Sequence, residues 1–138
     1  MDTSEQYIEM CEKAKEIQKI SPGINFGEVF AYPRKYSGTV EAEWVCGDYE
    51  GQPVLGDWLY QSPPYMVWLP RQDQLQEMVG KDVGLQTLCC RLYEFSTDQG
   101  AGITINGSME QLWLAFVMHE KFNKVWNGID WEAEYEQM

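Results

Sequence analysis

One histidine, His119, must carry any imidazole chemistry in this chain. Glu120 follows it, but His119-Glu120-Lys121-Phe122-Asn123 lacks the second histidine of the H-E-x-x-H pattern that binds catalytic zinc. Cys89 and Cys90 offer a thiol that the imidazole would deprotonate in a Cys–His nucleophile pair. No residue presents itself as the third group needed to orient the ring. At helical spacing from Phe116 and Phe122, His119 reads instead as a half-buried packing residue with a satisfied nitrogen.

Carboxylates recur in pairs: Glu41 with Glu43, Asp48 with Glu50, and Glu132 with Glu134 and Glu136. On a strand this i,i+2 spacing puts both groups on one face, where they could hold a cation or transfer a proton. In a chain with 22 acids such pairs arise by chance, and solubility explains them. Gly100-Ala101-Gly102 sits at an expected turn rather than before a helix, and neither a Walker sequence nor G-x-G-x-x-G is present. Of the four cysteines, Cys11 and Cys46 stand alone. Cys89 and Cys90 are adjacent, which on a strand points them to opposite faces, and there is no C-x-x-C. No catalytic, cofactor-binding or metal-ligating residue is assigned. The aromatics Trp44, Trp58, Tyr60, Tyr65 and Trp68 gather near Glu41, Glu43, Asp48 and Glu50. An aromatic patch rimmed by acids is a candidate protein-interaction surface, made of Trp44, Trp58, Tyr60 and Tyr65 with those four carboxylates.

Such groups need a scaffold, and 138 residues with 44% hydrophobic content suffice for one domain spanning 1–138. Nineteen aromatic side chains argue against disorder, despite a net charge of −12. That charge excludes direct nucleic-acid binding, which needs a basic face, and docking on an anionic membrane. Residues 1–20 have no apolar core of a signal peptide, and the longest apolar stretch, Leu112 to Met118, is far short of the roughly 18 residues that span a bilayer. Reduced cysteines and a cytoplasmic location in a bacterial host are expected.

The spacing of Tyr7, Ile8, Cys11, Ala14 and Ile17 predicts a helix from Ser4 to Ile20, with Thr3 and Gln6 as a capping box and Glu9–Lys13 as an ion pair. Prolines and glycines divide residues 24–64 into short pieces; Thr39 to Cys46 is the best strand there, and Val54 to Tyr60 is a weaker one. Tyr65 to Leu69 reads as a strand, with Pro70 in the first turn of a helix from Arg71 to Val79 and Gly80 beyond its end. Leu85 to Phe95 reads as the strongest strand, paired in a hairpin with Ala101 to Ile105 and followed by Asn106-Gly107. Ser108 with Gln111 then caps a helix from Met109 to about Trp126, which Asn127-Gly128 stops. Asp130 would cap a last turn in the acidic segment 129–138. The expected fold is α+β: a small, mostly antiparallel sheet of about four strands covered by two or three helices.

Trp68-Leu69-Pro70-Arg71-Gln72-Asp73-Gln74-Leu75, followed by a strand, a hairpin and the helix Ser108-Met109-Glu110-Gln111-Leu112-Trp113-Leu114-Ala115-Phe116-Val117-Met118, resembles small uncharacterised proteins of phages and prophages of Firmicutes. Some of these look like the phage α-β-α sandwich family. The resemblance covers residues 65–128 and brings no catalytic residue with it. It implies a non-enzymatic accessory protein, without cofactor, that binds a protein partner or itself. An acidic nucleic-acid mimic is the alternative reading, provided that the acids of 41–57 and 130–136 form one surface. A Cys/His enzyme is the third.

Overall fold

The structure, a computed structural model, describes residues 1–22, 27–32, 41–44, 46–47, 53–54, 66–98 and 107–134. The chain forms two compact units, Thr3–Pro70 and Arg71–Met138, the second joined by Met1–Asp2. The class is α+β, with five helices among the described residues. The described strands divide into one three-stranded and two two-stranded antiparallel sheets rather than a single sheet of about four.

In the first unit the expected long helix is two: α1 (Glu5–Lys13) and α2 (Lys15–Lys19). Ser4, not Thr3, is the N-cap, accepting the Tyr7 N–H at 3.2 Å. Glu9 and Lys13 do pair, at 3.1 Å. The break falls at Ala14, whose ψ of 74° leaves the helical range. At the break the Cys11 carbonyl, which a continuous helix would offer to Lys15, accepts from the Ala14 N–H at 3.2 Å and from the Gln18 side chain at 3.0 Å. Tyr7, Met10, Cys11, Ala14 and Ile17 are wholly buried, as the apolar spacing requires.

Sequence patterning does not single out β1 (Val29–Tyr32), yet it is the central strand of the larger sheet. It pairs with β2 (Glu41–Trp44) on one side and β5 (Val67–Trp68) on the other. A two-residue pair, β3 (Cys46–Gly47) with β4 (Pro53–Val54), lies between them in sequence. The described part of Val54 to Tyr60 is thus only the end of β4. Phe30 stands opposite Trp68, and the Leu69 N–H reaches the Val29 carbonyl at 2.8 Å. Phe30 and Trp68 are therefore a non-hydrogen-bonded pair, and the polar backbone groups of Trp68 point away from β1. The Tyr7 hydroxyl donates to the Pro70 carbonyl at 2.6 Å, and the Trp68 indole N–H donates to Glu28, whose carboxylate is nearly buried. Each of these buried polar groups has its partner, as a dry core demands.

The second unit is built on three helices: α3 (Gln72–Gly80), α4 (Leu85–Asp98) and α5 (Met109–Phe122). Pro70 precedes α3 rather than entering it. Arg71 is the N-cap, with Gln74 Oε1 accepting its N–H at 2.8 Å. Gly80 is the last helical residue rather than the one beyond.

The strand expected over Leu85 to Phe95 is α4 instead. Leu85, Leu88, Leu92 and Phe95 recur at three- and four-residue intervals, a helical period, and Leu, Gln, Arg and Glu are good helix formers. The hairpin with 101–105 loses its first arm; the second arm, with Asn106 and Gly100-Ala101-Gly102, lies outside the described residues.

Ser108 caps α5 as expected, accepting the Gln111 N–H at 3.2 Å. Asp2 joins this cap: its Oδ2 accepts from the Ser108 hydroxyl at 2.5 Å and from the Gln111 amide at 2.9 Å. An acid suits the positive end of a helix. Residues Gln111 to Met118 are buried without interruption, so α5 is covered on every side, the pattern of a core helix.

The helix ends at Phe122, not Trp126. Asn123 adopts left-handed φ 54° and ψ 44°, a conformation asparagine tolerates well, and the chain passes directly into β6 (Lys124–Trp126). Asn127-Gly128 turns a hairpin into β7 (Trp131–Ala133), in place of an acidic final turn. Asn127 Oδ1 accepts the N–H groups of Ile129 and Asp130, both at 2.8 Å, and Trp126 packs on Trp131 with centroids 5.1 Å apart.

Candidate functional site

Helices α4 and α5 enclose a groove of about 350 Å³ lined by Arg91, Glu94, Phe95, Asp98, His119 and Glu120. Arg91, Glu94 and Phe95 come from the segment expected to be a strand, and Asp98 from just beyond it. On a helix, Arg91, Glu94 and Asp98 follow at i, i+3 and i+7 and share one side, with Phe95 at its inner margin. Phe95 is 7% exposed and packs on Phe116 at 5.5 Å and on His119 at 5.2 Å, centroid to centroid.

His119 sits where the groove meets the hairpin. Its side chain is 26% exposed, and Nε2 lies 2.6 Å from Glu134 Oε2, just past β7. Nε2 therefore carries a proton and donates it. Nδ1 is buried and has no hydrogen-bond partner. The expected half-buried packing residue is what the structure contains, with a carboxylate 15 residues away as the partner of its one satisfied nitrogen.

The Cys–His pair finds no geometric support. Cys89 and Cys90 lie on a helix, not a strand, and both are exposed, whereas Leu88 and Phe95 are the residues of α4 that turn inward. The one bonded nitrogen of His119 meets Glu134, and the ring rests on Phe95. Cys11 is fully buried. Among the described residues no group of three or more His, Cys, Asp or Glu side chains is placed to hold a metal ion. No helix there is long and apolar enough to cross a membrane.

The acids of the C-terminal run serve the hairpin. Asp130 Oδ1 accepts the Trp131 N–H at 2.8 Å, Glu132 Oε1 accepts from the Asn127 amide at 2.6 Å, and Glu134 holds His119. Glu136 lies outside the described residues. Of the aromatic–acidic candidates, Glu41, Glu43 and Trp44 fall on β2, opposite Tyr32, Phe30 and Val29 respectively. Asp48, Glu50, Trp58, Tyr60 and Tyr65 lie outside the described residues.

A surface that sequence patterning missed lies on the outer side of α4. Of its fourteen residues only Leu88 and Phe95 are buried. Leu85, Cys89 and Tyr93 follow at i, i+4 and i+8, forming a stripe along the solvent side, with Leu85 74% and Tyr93 70% exposed. The apolar arc of α4 is wider than the part its own unit covers.

No protein-family model matches the chain, and no curated protein or solved structure matches it.

Proposed function

We propose that the chain is a non-enzymatic binding protein whose outer α4 face docks on a partner protein. The observation that carries this reading is the exposed stripe of Leu85, Cys89 and Tyr93 on a helix otherwise anchored by Leu88 and Phe95. Large apolar and aromatic side chains left in water gain most when a partner removes them from it, and tyrosine is a frequent anchor of interfaces. The charge of −12 disfavours a second copy as that partner, because like-charged chains repel. An accessory role in a phage or prophage, in the cytoplasm of a bacterial host, rests on the resemblance of residues 65–128.

The test is to pan a yeast-displayed library of random peptides against the folded chain. Enriched peptides should bind at least about tenfold more weakly to the Leu85→Ser/Tyr93→Ser variant, the loss expected of interface anchors. Circular dichroism should be unchanged, since both side chains are exposed. Peptides indifferent to the double substitution, or no enrichment, overturn the reading. A concentration-dependent dimer in sedimentation velocity that the same substitutions dissolve would replace the partner protein with a second copy.

A further inference from the structure

We infer that α4 opens from α5 as one piece in the native protein, and that a partner docked on its outer face holds it closed. The second half of this inference rests on the docking reading above; the first half does not.

Two buried side chains seat α4. Leu88 packs at the corner with α3, where a Cβ on Gly80 would lie 2.9 Å from its Cδ2. Phe95, two turns further along, lies against Phe116 and His119 of α5. The side-chain hydrogen bonds of α4 stay within the helix: Ser96 donates to the Tyr93 carbonyl at 2.7 Å and Thr97 to that of Glu94 at 2.9 Å. Among the described residues no side-chain hydrogen bond or ion pair ties α4 to another element. Gly84, at the head of the helix, has open space where its Cβ would be, which leaves the preceding turn room to pivot. By contrast, α5 is buried over eight successive residues, and Asp2 bonds to its cap.

An element with few buried contacts and no polar cross-link opens at a lower free energy than the core beside it. Opening also relieves a defect. His119 keeps Nδ1 buried without a partner, and lifting Phe95 from its ring lets water reach that nitrogen. Once lifted, a helix of 14 residues is marginal in water, so the detached segment loses its turns. Leu85, Cys89 and Tyr93 align as a stripe only while α4 is helical. A partner that binds the stripe therefore selects the closed state and draws the equilibrium toward it.

Native-state amide hydrogen exchange of the full chain, read by NMR, tests the opening. After correction for intrinsic rates, the amides of Leu92 to Asp98 should exchange at least about a hundredfold faster than those of Leu114 to Met118, with one shared urea dependence. Phe95→Leu keeps apolar bulk but loses two ring contacts, and should speed α4 exchange about tenfold. Asp2→Ala weakens the cap of α5, which the open state retains; it should speed α5 exchange about tenfold and leave α4 unchanged. The opening is overturned by α4 amides as slow as those of α5, by α4 amides that exchange independently of one another, by no response to Phe95→Leu, or by Asp2→Ala speeding both helices equally.

A peptide selected through Leu85 and Tyr93, added at about 100 times its Kd, should slow α4 exchange about a hundredfold. Unchanged exchange with the peptide bound overturns the coupling. If α4 opens but no peptide depends on Leu85 and Tyr93, the docking face falls and the opening stands. If such peptides bind while α4 exchanges as slowly as α5, the opening falls and the docking face stands.

Discussion

The side-chain amide of Gln18 pairs with both backbone polar groups of Trp68: Oε1 accepts the N–H and Nε2 donates to the carbonyl, each at 2.9 Å. Those groups point away from β1, so Gln18 stands where a further strand would be. The same Nε2 reaches the Cys11 carbonyl and so holds the break between α1 and α2. One residue thus closes a sheet edge and ends a helix.

Gln18→Ala should lower stability by about 2–3 kcal/mol, because it strands the N–H and carbonyl of a buried residue as well as losing their bonds. Gln18→Glu keeps an acceptor but loses the donor to two carbonyls, and should cost a similar amount. Urea unfolding followed by tryptophan fluorescence measures both; a change below about 0.5 kcal/mol would mean that water replaces the amide freely.

Two glycines four residues apart should respond in opposite ways. A Cβ at Gly80 would lie 2.9 Å from Leu88 Cδ2, and Leu88 is buried. Gly80→Ala should therefore cost about 1–2 kcal/mol through overpacking, despite the better helix former. At Gly84 a Cβ meets nothing within 4 Å, so Gly84→Ala should stay within about 0.5 kcal/mol of the unaltered chain. Thermal denaturation of both variants, and of Gly80→Ala with Leu88→Ala, checks whether Leu88 is the obstacle.

The thiols should sort by burial. In a Cys46→Ser background, Cys89 and Cys90 should react with Ellman's reagent promptly, and Cys11 only through an opening of its unit. Three thiols reacting at one fast rate would contradict the packing of α1. His119→Gln should leave the rates of Cys89 and Cys90 unchanged, since the imidazole is engaged elsewhere.

His119 should occupy the tautomer with the proton on Nε2 when neutral, because Glu134 accepts there and an unpaired Nδ1 lone pair costs less than a buried unpaired N–H. Long-range ¹⁵N–¹H correlation of the ring reads this directly. Glu134→Ala should remove that preference and cost about 1 kcal/mol, discounted for the partial exposure of both partners.

What patterning revealed and what it hid follow from range. The helix through Leu112 to Met118 is legible because a long apolar segment with a serine cap and a polar stop admits little else. Its end is not: Asn123 takes a left-handed conformation and bonds to Glu134 through both its carbonyl and its amide, contacts across the hairpin that no local window contains. β1 is only four residues long and owes its place to strands that follow it. Reading Leu85 to Phe95 with period two instead of three and four had the widest effect. It put Arg91 and Glu94 on opposite faces, left Asp98 in a turn, and so concealed the groove. Glu134 as the partner of His119 was equally hidden, because only the fold brings β7 to the end of α5.

The contrast between α4 and α5 has an evolutionary consequence. Along α5 eight successive positions are each answerable to neighbours inside the protein, so nearly any replacement there is tested first by folding. Along α4 two positions anchor the helix and the remainder answer mainly to whatever lies outside. Relatives of this chain that met different partners would diverge on α4 while keeping α5, and a change of specificity could be acquired there at little cost to stability.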